Sequence, residues 1–407
     1  MMSEPPTIFD ACTPREDVLR GTLEEQQFAA KLASVAFNPE DAASVYRDPK
    51  EFFDSTYPTG GLQDLLTNLV DRFLVPQGHD PEYKSTILCL DTTFGGGKTH
   101  DLIAAYHLAE SGGEIDALDR FLADGDQLAT AYRDAMGGGL NVRTSVIVGG
   151  FIDARNARAD RSDPNAPNTN TIWGEIAYQL YGQEGYEHIK EYDQDRGAPG
   201  ENTLRSLFEL SDDPVLILVD EIAEYLEDAS AVEIAGATLA SQTVSFMKSL
   251  LEAAASAKNV TVVYSIADDA FGEKAKEVQK EIKDLDSIEK RKQRAITPTG
   301  DNEVSAVLRN RLFDSVDPGI AEEIADTYTQ LYKEADRTLP GRAQSPDYKG
   351  LLERHYPLHP TVIQTLTEKV DSIQDFQRTR GALKLVARAI HHLWSRYEGK
   401  DGEAVSH

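Results

Sequence analysis

The sequence contains little cysteine, no long apolar run and no export signal. Cys12 and Cys89 are the only cysteines in 407 residues, which is too few for a disulfide framework or a cysteine-rich zinc site. No apolar stretch approaches the roughly eighteen residues that a membrane-spanning helix needs. The beginning, MMSEPPTIFDACTPRED, lacks the basic region and following apolar stretch of a signal peptide. These absences predict a cytoplasmic protein that does not span a membrane.

Basic residues are also scarce. The chain has 41 Lys and Arg against 69 Asp and Glu, a net charge of −28, and the acidic residues are spread along its whole length. One interpretation is a protein that binds cationic partners. The interpretation we favour is a halophilic-type acidic surface, which stays hydrated in a salt-rich cytoplasm where salt screens its self-repulsion. On that interpretation the acidity is a background, and it does not argue against DNA binding.

Several catalytic patterns are missing. The sequence has no G-x-S-x-G, no H-E-x-x-H and no catalytic-cysteine arrangement, which argues against a protease, esterase or nuclease centre. His355 and His359 have no companion carboxylate pattern, and His391 and His392 are adjacent, which is wrong for joint metal ligation from one helix face. We therefore expect no zinc site.

The order of apolar segments predicts an α/β core followed by a helical domain. Residues 1–80 are predicted as a helical N-terminal segment, 81–300 as the α/β core and 301–407 as helices only. Buried strands are predicted at 85–90, 143–151, 214–220, 259–267 and 294–299, and helices at 98–110, 115–136, 171–181, 201–210, 232–257 and 273–292. Strands without polar alternation, interleaved with helices, indicate a parallel sheet covered on both faces. The polar stretch 153–170 is predicted to be an exposed loop.

The stretch LDTTFGGGKTHDL, residues 90–102, resembles a phosphate-binding loop with one defect. The standard pattern is G-x-x-x-x-G-K-[ST], and Thr92 stands where its first glycine belongs. The context of strand, glycine loop and helix is nevertheless the one that the motif requires, because backbone N–H groups and a helix N-terminus surround the phosphates. The alternative is a glycine-rich turn before Lys-Thr by chance. We assign nucleotide binding to Thr93, Phe94, Gly95, Gly96, Gly97, Lys98, Thr99 and His100, with Lys98 on the β- and γ-phosphates and Thr99 on Mg²⁺.

A second acidic element supports this assignment. The run PVLILVDE ends in Asp220 and Glu221, where a nucleotide-bound Mg²⁺ needs a carboxylate and the attacking water needs a base. Alone the run is a weak signal, because apolar strands often end in a solvated Asp. Ser265, at the end of the next strand, is predicted to orient water against the γ-phosphate, although a serine that only caps a turn is nearly as good an interpretation.

Several segments together resemble a known family. The segments are CTPREDVLRG, FFDSTYPTGGL, FGGGKTHDLIAAYHLA, VLILVDEIAEYL, HYPLHP and FQRTRGALKLVARAIHHLW, which together run along nearly the full length. The chain resembles the AAA+ ATPases and, more closely, the prokaryotic domain-of-unknown-function-499 ATPases. The resemblance implies a P-loop three-layer α/β/α sandwich with a five-stranded parallel sheet, an α-helical lid over ATP, and a missing first glycine as a family habit. It also implies gene neighbourhoods with adenine-specific DNA methyltransferases and phage-defence functions. Members are often longer, and whether this chain is truncated at its C-terminus is left open by the sequence.

Basic residues near the predicted lid are candidates for neutralising the γ-phosphate. The resemblance implies an arginine finger at Arg309 or Arg311, acting within the chain or in a second copy, with a surface salt bridge as the equal alternative. It also implies a sensor among Arg378, Arg380 and Lys384. A cation at a helix start is not favoured by the helix dipole, which slightly favours a functional role there.

The sequence therefore predicts a Mg²⁺-dependent ATPase of AAA+ type that acts on a DNA-directed complex. ATP is preferred over GTP only through the resemblance, since no guanine-reading N-K-x-D occurs. The rival hypothesis is a switch that binds ATP and recruits a methyltransferase or effector with negligible turnover. A third is a DNA motor that contacts phosphates through the basic cluster KRKQR at 290–294. A homo-oligomer is compatible with all three hypotheses.

Overall fold

A computed structural model describes most of the chain. It describes residues 7–21, 30–79, 84–91, 97–123, 125–158, 163–234, 236–265, 293–299, 303–334, 339–345, 347–369 and 378–398. The predicted helix at 273–292 and most of the basic cluster at 290–294 lie outside these residues. Among the helices of the described part, none is both long and apolar enough to cross a membrane.

A five-stranded parallel sheet forms the centre of the molecule. The nine strands of the described chain are β1 (Cys12–Pro14), β2 (Ile87–Leu90), β3 (Arg143–Val148), β4 (Val215–Asp220), β5 (Glu233–Ile234), β6 (Ala237–Thr238), β7 (Val260–Ser265), β8 (Gln293–Ile296) and β9 (Phe313–Val316). The sheet has the order β3-β4-β7-β2-β8, and every neighbouring pair in it is parallel. All five predicted core strands are present, which confirms the α/β fold.

Helices surround the sheet and form the C-terminal part. They are α1 (Ile8–Ala11), α2 (Glu16–Leu19), α3 (Leu32–Phe37), α4 (Ser44–Arg47), α5 (Pro49–Ser55), α6 (Gly60–Phe73), α7 (Lys98–Ser111), α8 (Gly125–Gly137), α9 (Ile172–Asp195), α10 (Glu201–Phe208), α11 (Ile222–Ala229), α12 (Leu239–Ser256), α13 (Val304–Leu312), α14 (Pro318–Glu334), α15 (Tyr348–His355), α16 (Pro360–Gln364) and α17 (Arg378–Glu398). Short 3₁₀ turns lie at Pro39–Asp41, Val75–Gln77, Gly112–Glu114, Leu118–Phe121 and Gly341–Gln344.

Strand β4 shows why the sheet is covered on both faces. Its six residues are all buried, and successive side chains point to opposite faces. Ile217 and Val219 pack with α9, α10 and α12, including Trp173. Leu216 and Leu218 pack on the other face with α5 to α8. A strand without polar alternation therefore has an apolar layer on each side, as the sequence predicts.

The N-terminal residues pack with the C-terminal helices. Strand β1 pairs with β9 in an antiparallel two-stranded sheet, and Ile8 and Val18 belong to the same apolar cluster as α13 and α17. The prediction of helices alone after residue 301 is wrong at β9, since strand pairing with a distant segment, and not a local period, determines this element. The predicted domain boundaries stay predictions.

Several of the predicted segments differ from the structure in detail, among them the predicted helix 171–181, which continues to Asp195 as α9. The predicted helix 115–136 is a 3₁₀ turn followed by α8, and 232–257 contains the β5–β6 hairpin before α12. Within 153–170 the described residues form no helix or strand, but Ala157 and Thr169 are buried. The prediction of a loop is therefore right, but the prediction that the whole loop is exposed is wrong. The small side chain of Ala157 and the hydroxyl side chain of Thr169 fit against the core.

A buried arginine joins α6 to the sheet. Arg72 is 4% exposed, and its guanidinium donates to the carbonyls of Lys258 and Val260 at 2.8 and 2.9 Å and to Oγ1 of Thr261 at 3.3 Å. Burial lowers the pKa of Arg72 to about 10. These three bonds fix α6, which precedes the nucleotide-loop strand, against the start of β7.

We expect Arg72→Met to lower the free energy of unfolding by about 2–4 kcal/mol, because it leaves the buried acceptors without a donor. Urea unfolding followed by circular dichroism measures the loss. Arg47→Met is the matched control, since Arg47 is half exposed and its partner Glu40 lies 3.6 Å away, and its effect should stay within about 0.5 kcal/mol. Equal losses in the two variants would contradict the role given to Arg72.

Candidate functional site

The sheet order places the acidic strand end, the serine strand end and the nucleotide loop side by side. Strand β7 lies between β4, which ends in Asp220, and β2, which leads into the loop. The strands are parallel, so their carboxyl ends meet at one edge of the sheet. Ligands of open α/β sheets bind outside this edge.

Asp220 connects these elements directly. Its carboxylate is 2% exposed. Oδ2 accepts a hydrogen bond from Oγ1 of Thr99 at 2.9 Å, and Oδ1 accepts one from Oγ of Ser265 at 2.5 Å and one from the amide of Glu221 at 3.1 Å. The structure thus brings together Thr99, Asp220 and Ser265, three residues that the sequence analysis assigns to one site.

The chemistry of this group fits Mg²⁺. A carboxylate and a hydroxyl are hard oxygen donors, and proteins hold nucleotide-bound Mg²⁺ with one or two such groups while water and phosphate complete its shell. Asp220 and Thr99 are the residues of the described chain that would hold the ion.

The end of the glycine loop has the backbone that a phosphate site requires. Gly97 has φ 109°, a conformation that favours glycine, and α7 begins immediately afterwards at Lys98. A Cβ on Gly97 would lie 3.0 Å from Cβ of Pro298, so the residues after β8 pack on the loop. Lys98 is half-buried. The predicted loop residues Thr93, Phe94, Gly95 and Gly96 lie outside the described residues.

Glu221 is held in a strained backbone. It lies in the left-handed region with φ 53° and ψ 31° and precedes α11, a conformation that costs a non-glycine residue about 1–2 kcal/mol. A Cβ on Gly149 would lie 1.9 Å from the Glu221 carbonyl oxygen, and one on Gly150 would lie 2.3 Å from Oε2 of Glu224. Gly149 therefore makes room for the carbonyl of Glu221, and Gly150 makes room for the side chain of Glu224. The side chain of Glu221 is exposed beside buried Asp220.

His100 is half-buried and packs against α5. Its ring lies 4.5 Å from that of Phe52, and Nε2 is 3.0 Å from Oγ1 of Thr56. Burial, and then the charges of Arg311 and His107, lower the pKa of His100 to about 4. The imidazole is therefore neutral near pH 7, and in this arrangement it fixes α7 against α5.

A buried carboxyl group that the sequence analysis did not identify lies one turn into α7. Asp101 is 3% exposed, and its Oδ2 has no hydrogen-bond partner among the described residues. Burial, and then the charge of Glu303, raise the pKa of Asp101 well above its ordinary value. Burial therefore disfavours the charged form of this carboxyl group. A lone Asp in a helix gives no sequence signal of burial, so only the structure identifies it.

The predicted cations lie in different surroundings. Arg311 is paired with Asp17 at 3.0 Å, whereas Arg309 lines a cleft beside α14. Arg378 and Arg380 lie at the start of α17, but their side chains are outside what the structure describes. Lys384 is half-buried on the same helix. The roles of these residues as finger or sensor stay predictions.

The basic cluster at 290–294 is described only at its end. The exposed Arg294 pairs with Asp64 at 2.5 Å. Such surface pairs contribute little to stability. In this pair the guanidinium of Arg294, part of the basic cluster considered for DNA contact, is bound to a carboxylate.

Family models match almost the whole chain. The model described as the DUF499 N-terminal domain matches residues 9–297, and the model described as the DUF499 second domain matches residues 299–405. No curated protein matches the sequence.

One solved structure was found to be similar, the structure of PCH-2 from C. elegans. The match has a TM-score of 0.31 at 10% sequence identity, and it covers 86% of this chain and 72% of that one. A similarity of this size carries no argument about the function of this chain.

We expect Glu221→Gly to have a free energy of unfolding about 1 kcal/mol higher than Glu221→Ala. Both variants lack the carboxylate, but glycine adopts the left-handed backbone without strain. Chemical denaturation of the two proteins measures the difference.

Position 227 supplies the matched control. Glu227 is exposed within α11, so here Gly should be less stable than Ala by about 1 kcal/mol. The same order at both positions would show that Glu221 does not have the strained backbone.

Proposed function

This chain belongs to the DUF499 family over nearly its whole length, and from that premise we propose that it binds ATP and hydrolyses it with Mg²⁺. The observation that carries the proposal is the contact at Asp220. Thr99 and Ser265 are 121 and 45 residues away in sequence, yet both donate to this one carboxylate. A surface aspartate that merely ends a strand needs no such enclosure.

Binding is assigned to the loop and the beginning of α7. The ammonium group of Lys98 neutralises oxygens of the β- and γ-phosphates, and the N-terminus of α7 adds its dipole. Thr99 and Asp220 would hold Mg²⁺, which when bound would supply positive charge that offsets the negative charge of the phosphates.

Hydrolysis is assigned to Glu221. Its exposed carboxylate follows Asp220 directly, and the strained backbone holds it apart from the buried strand. The carboxylate accepts a proton from the attacking water, a role that typically contributes about 10²–10⁴-fold to the rate. Ser265 acts as a positioning residue because its hydroxyl fixes the Asp220 carboxylate. The cation that completes the charge is proposed to be Arg378, Arg380 or Lys384 at the start of α17.

A DNA-directed role is proposed from the family resemblance alone. Hydrolysis would then drive rearrangement of a complex with DNA or a DNA methyltransferase. A switch without turnover is the second candidate function. The strain at Glu221 favours the enzyme over the switch, because stored backbone strain is common at catalytic positions.

We expect Lys98→Ala and Glu221→Gln each to reduce ATP turnover at least about 10²-fold. Lys98→Ala should also lose ATP binding, whereas Glu221→Gln should retain bound ATP because its loop is intact. Steady-state phosphate release at high potassium chloride with Mg²⁺, with and without DNA, measures turnover, and a fluorescent ATP analogue measures binding.

Glu227→Gln removes an exposed carboxylate on the same helix and should leave turnover unchanged. Tight ATP binding without turnover in the wild type would support the switch instead. Stimulation of turnover by DNA would support the DNA-directed role, and no response to DNA would count against it.

A further inference from the structure

A cleft of about 710 Å³ lies beside α13, and its lining includes Arg309, one of the two candidates for an arginine finger. Its walls include Tyr57, Arg120, Arg309, Phe313, Glu322 and Glu353. Small-molecule sites have roughly this size, 300–1,000 Å³. Its lining contains neither the described end of the phosphate loop nor Asp220, Glu221 or Ser265.

The two arginines that line the cleft have no anionic partner among the described residues. Among the described residues, neither the guanidinium of Arg120 nor that of Arg309 makes an ion pair or a hydrogen bond. The guanidinium carbon of Arg120 lies 5.8 Å from the ring centroid of Phe121. By contrast, the nearby Arg311 is paired with Asp17. Arg120 is exposed and Arg309 is half-buried, so both guanidinium groups are accessible to an anion.

The acidic residues of the cleft do have cationic partners. Asp314 lies 3.8 Å from Arg15. Glu322 and Glu353 lie 3.8 and 3.4 Å from Nζ of Lys349, which also pairs with Asp326 at 2.6 Å. Among the charged residues that line the cleft, Arg120 and Arg309 are those without a described partner of opposite charge, and an anion is the ligand that these two groups can pair with.

The pKa of a neighbouring histidine, His355, is consistent with positive charge on Arg309. Burial, and then the charges of Arg354, Arg342 and Arg309, lower the pKa of His355. Arg309 is therefore one of three arginines whose charge reaches His355.

The rest of the lining limits the kind of anion. Guanidinium groups match phosphate with paired N–H bonds. Tyr57, Phe313 and Val316 add aromatic and apolar surface, which inorganic phosphate cannot use. We propose that this cleft is a second ligand site, which binds a phosphate ester of nucleotide size by Arg120 and Arg309 and by its apolar wall.

The position of the site connects it to the lid. Arg309 lies on α13, and Glu303, directly before that helix, accepts a hydrogen bond from the amide of Gly60 at 2.8 Å. Asn310 on the same helix donates to the carbonyl of Ser55 at 2.7 Å. A ligand that contacts both Tyr57 and Arg309 would join α13 to the segment before α6.

The test measures binding to Lys98→Ala, in which the phosphate loop is disabled, so it stands apart from the proposed hydrolysis. Isothermal titration measures the binding of ADP and of pyrophosphate to this variant. ADP should still bind at one site, the cleft. Adding Arg120→Gln or Arg309→Gln should weaken ADP binding at least about tenfold, through the loss of a charged hydrogen bond. Arg20→Gln is the matched control, since Arg20 is exposed and does not line the cleft, and it should change nothing.

Each outcome has a defined meaning. No binding of ADP to Lys98→Ala, or binding that Arg120→Gln and Arg309→Gln leave unchanged, would overturn the site. Tighter binding of ADP than of pyrophosphate supports the apolar contact, and equal binding would overturn that part. A short single-stranded oligonucleotide that displaces ADP and binds more tightly would overturn the assignment to a small ligand.

Discussion

The site depends on one buried carboxylate. Burying Asp220 costs free energy unless hydrogen bonds replace its water, and Thr99, Ser265 and the amide of Glu221 supply those bonds. Because the donors come from α7, β7 and the start of α11, the bonds can form only when β7 lies between β2 and β4. The order of the strands in the sheet therefore also determines the geometry of the candidate site. A slip of either strand by one residue would turn Asp220 or Ser265 to the other face.

The same constraint explains the strain beside it. Once Asp220 ends β4 with its side chain buried, the chain must turn sharply to begin α11, and Glu221 takes the left-handed conformation. That turn brings its carbonyl into the space that a side chain at position 149 would need. A glycine at the end of β3 is therefore part of the site, although it carries no chemistry itself.

The sequence predicts those parts of the structure that leave a local signal. The run VLILVD is apolar without interruption, so β4 and the carboxylate that follows it are visible without any tertiary information. Strand β1 is three residues long and pairs with residues about 300 positions later, so no local period indicates it. The sequence shows that residue 149 is a glycine, but only the structure shows why: the carbonyl of Glu221 takes the space that a side chain there would need. Asp101 is missed because burial, and not residue type, gives it its altered pKa.

The arrangement of polar contacts suggests how the helical C-terminal part could move. The N-terminal residues are joined to it by the β1–β9 ladder, by the Asp17–Arg311 pair and by the 2.8 Å contact between His391 and the carbonyl of Leu19. Its polar contacts to the α5–α6 region are individual hydrogen bonds, such as those of Glu303 and Asn310. Individual exposed or half-buried bonds break at lower cost than a packed ladder. These contacts therefore favour movement of residues 8–19 together with the C-terminal helices, relative to α5 and α6.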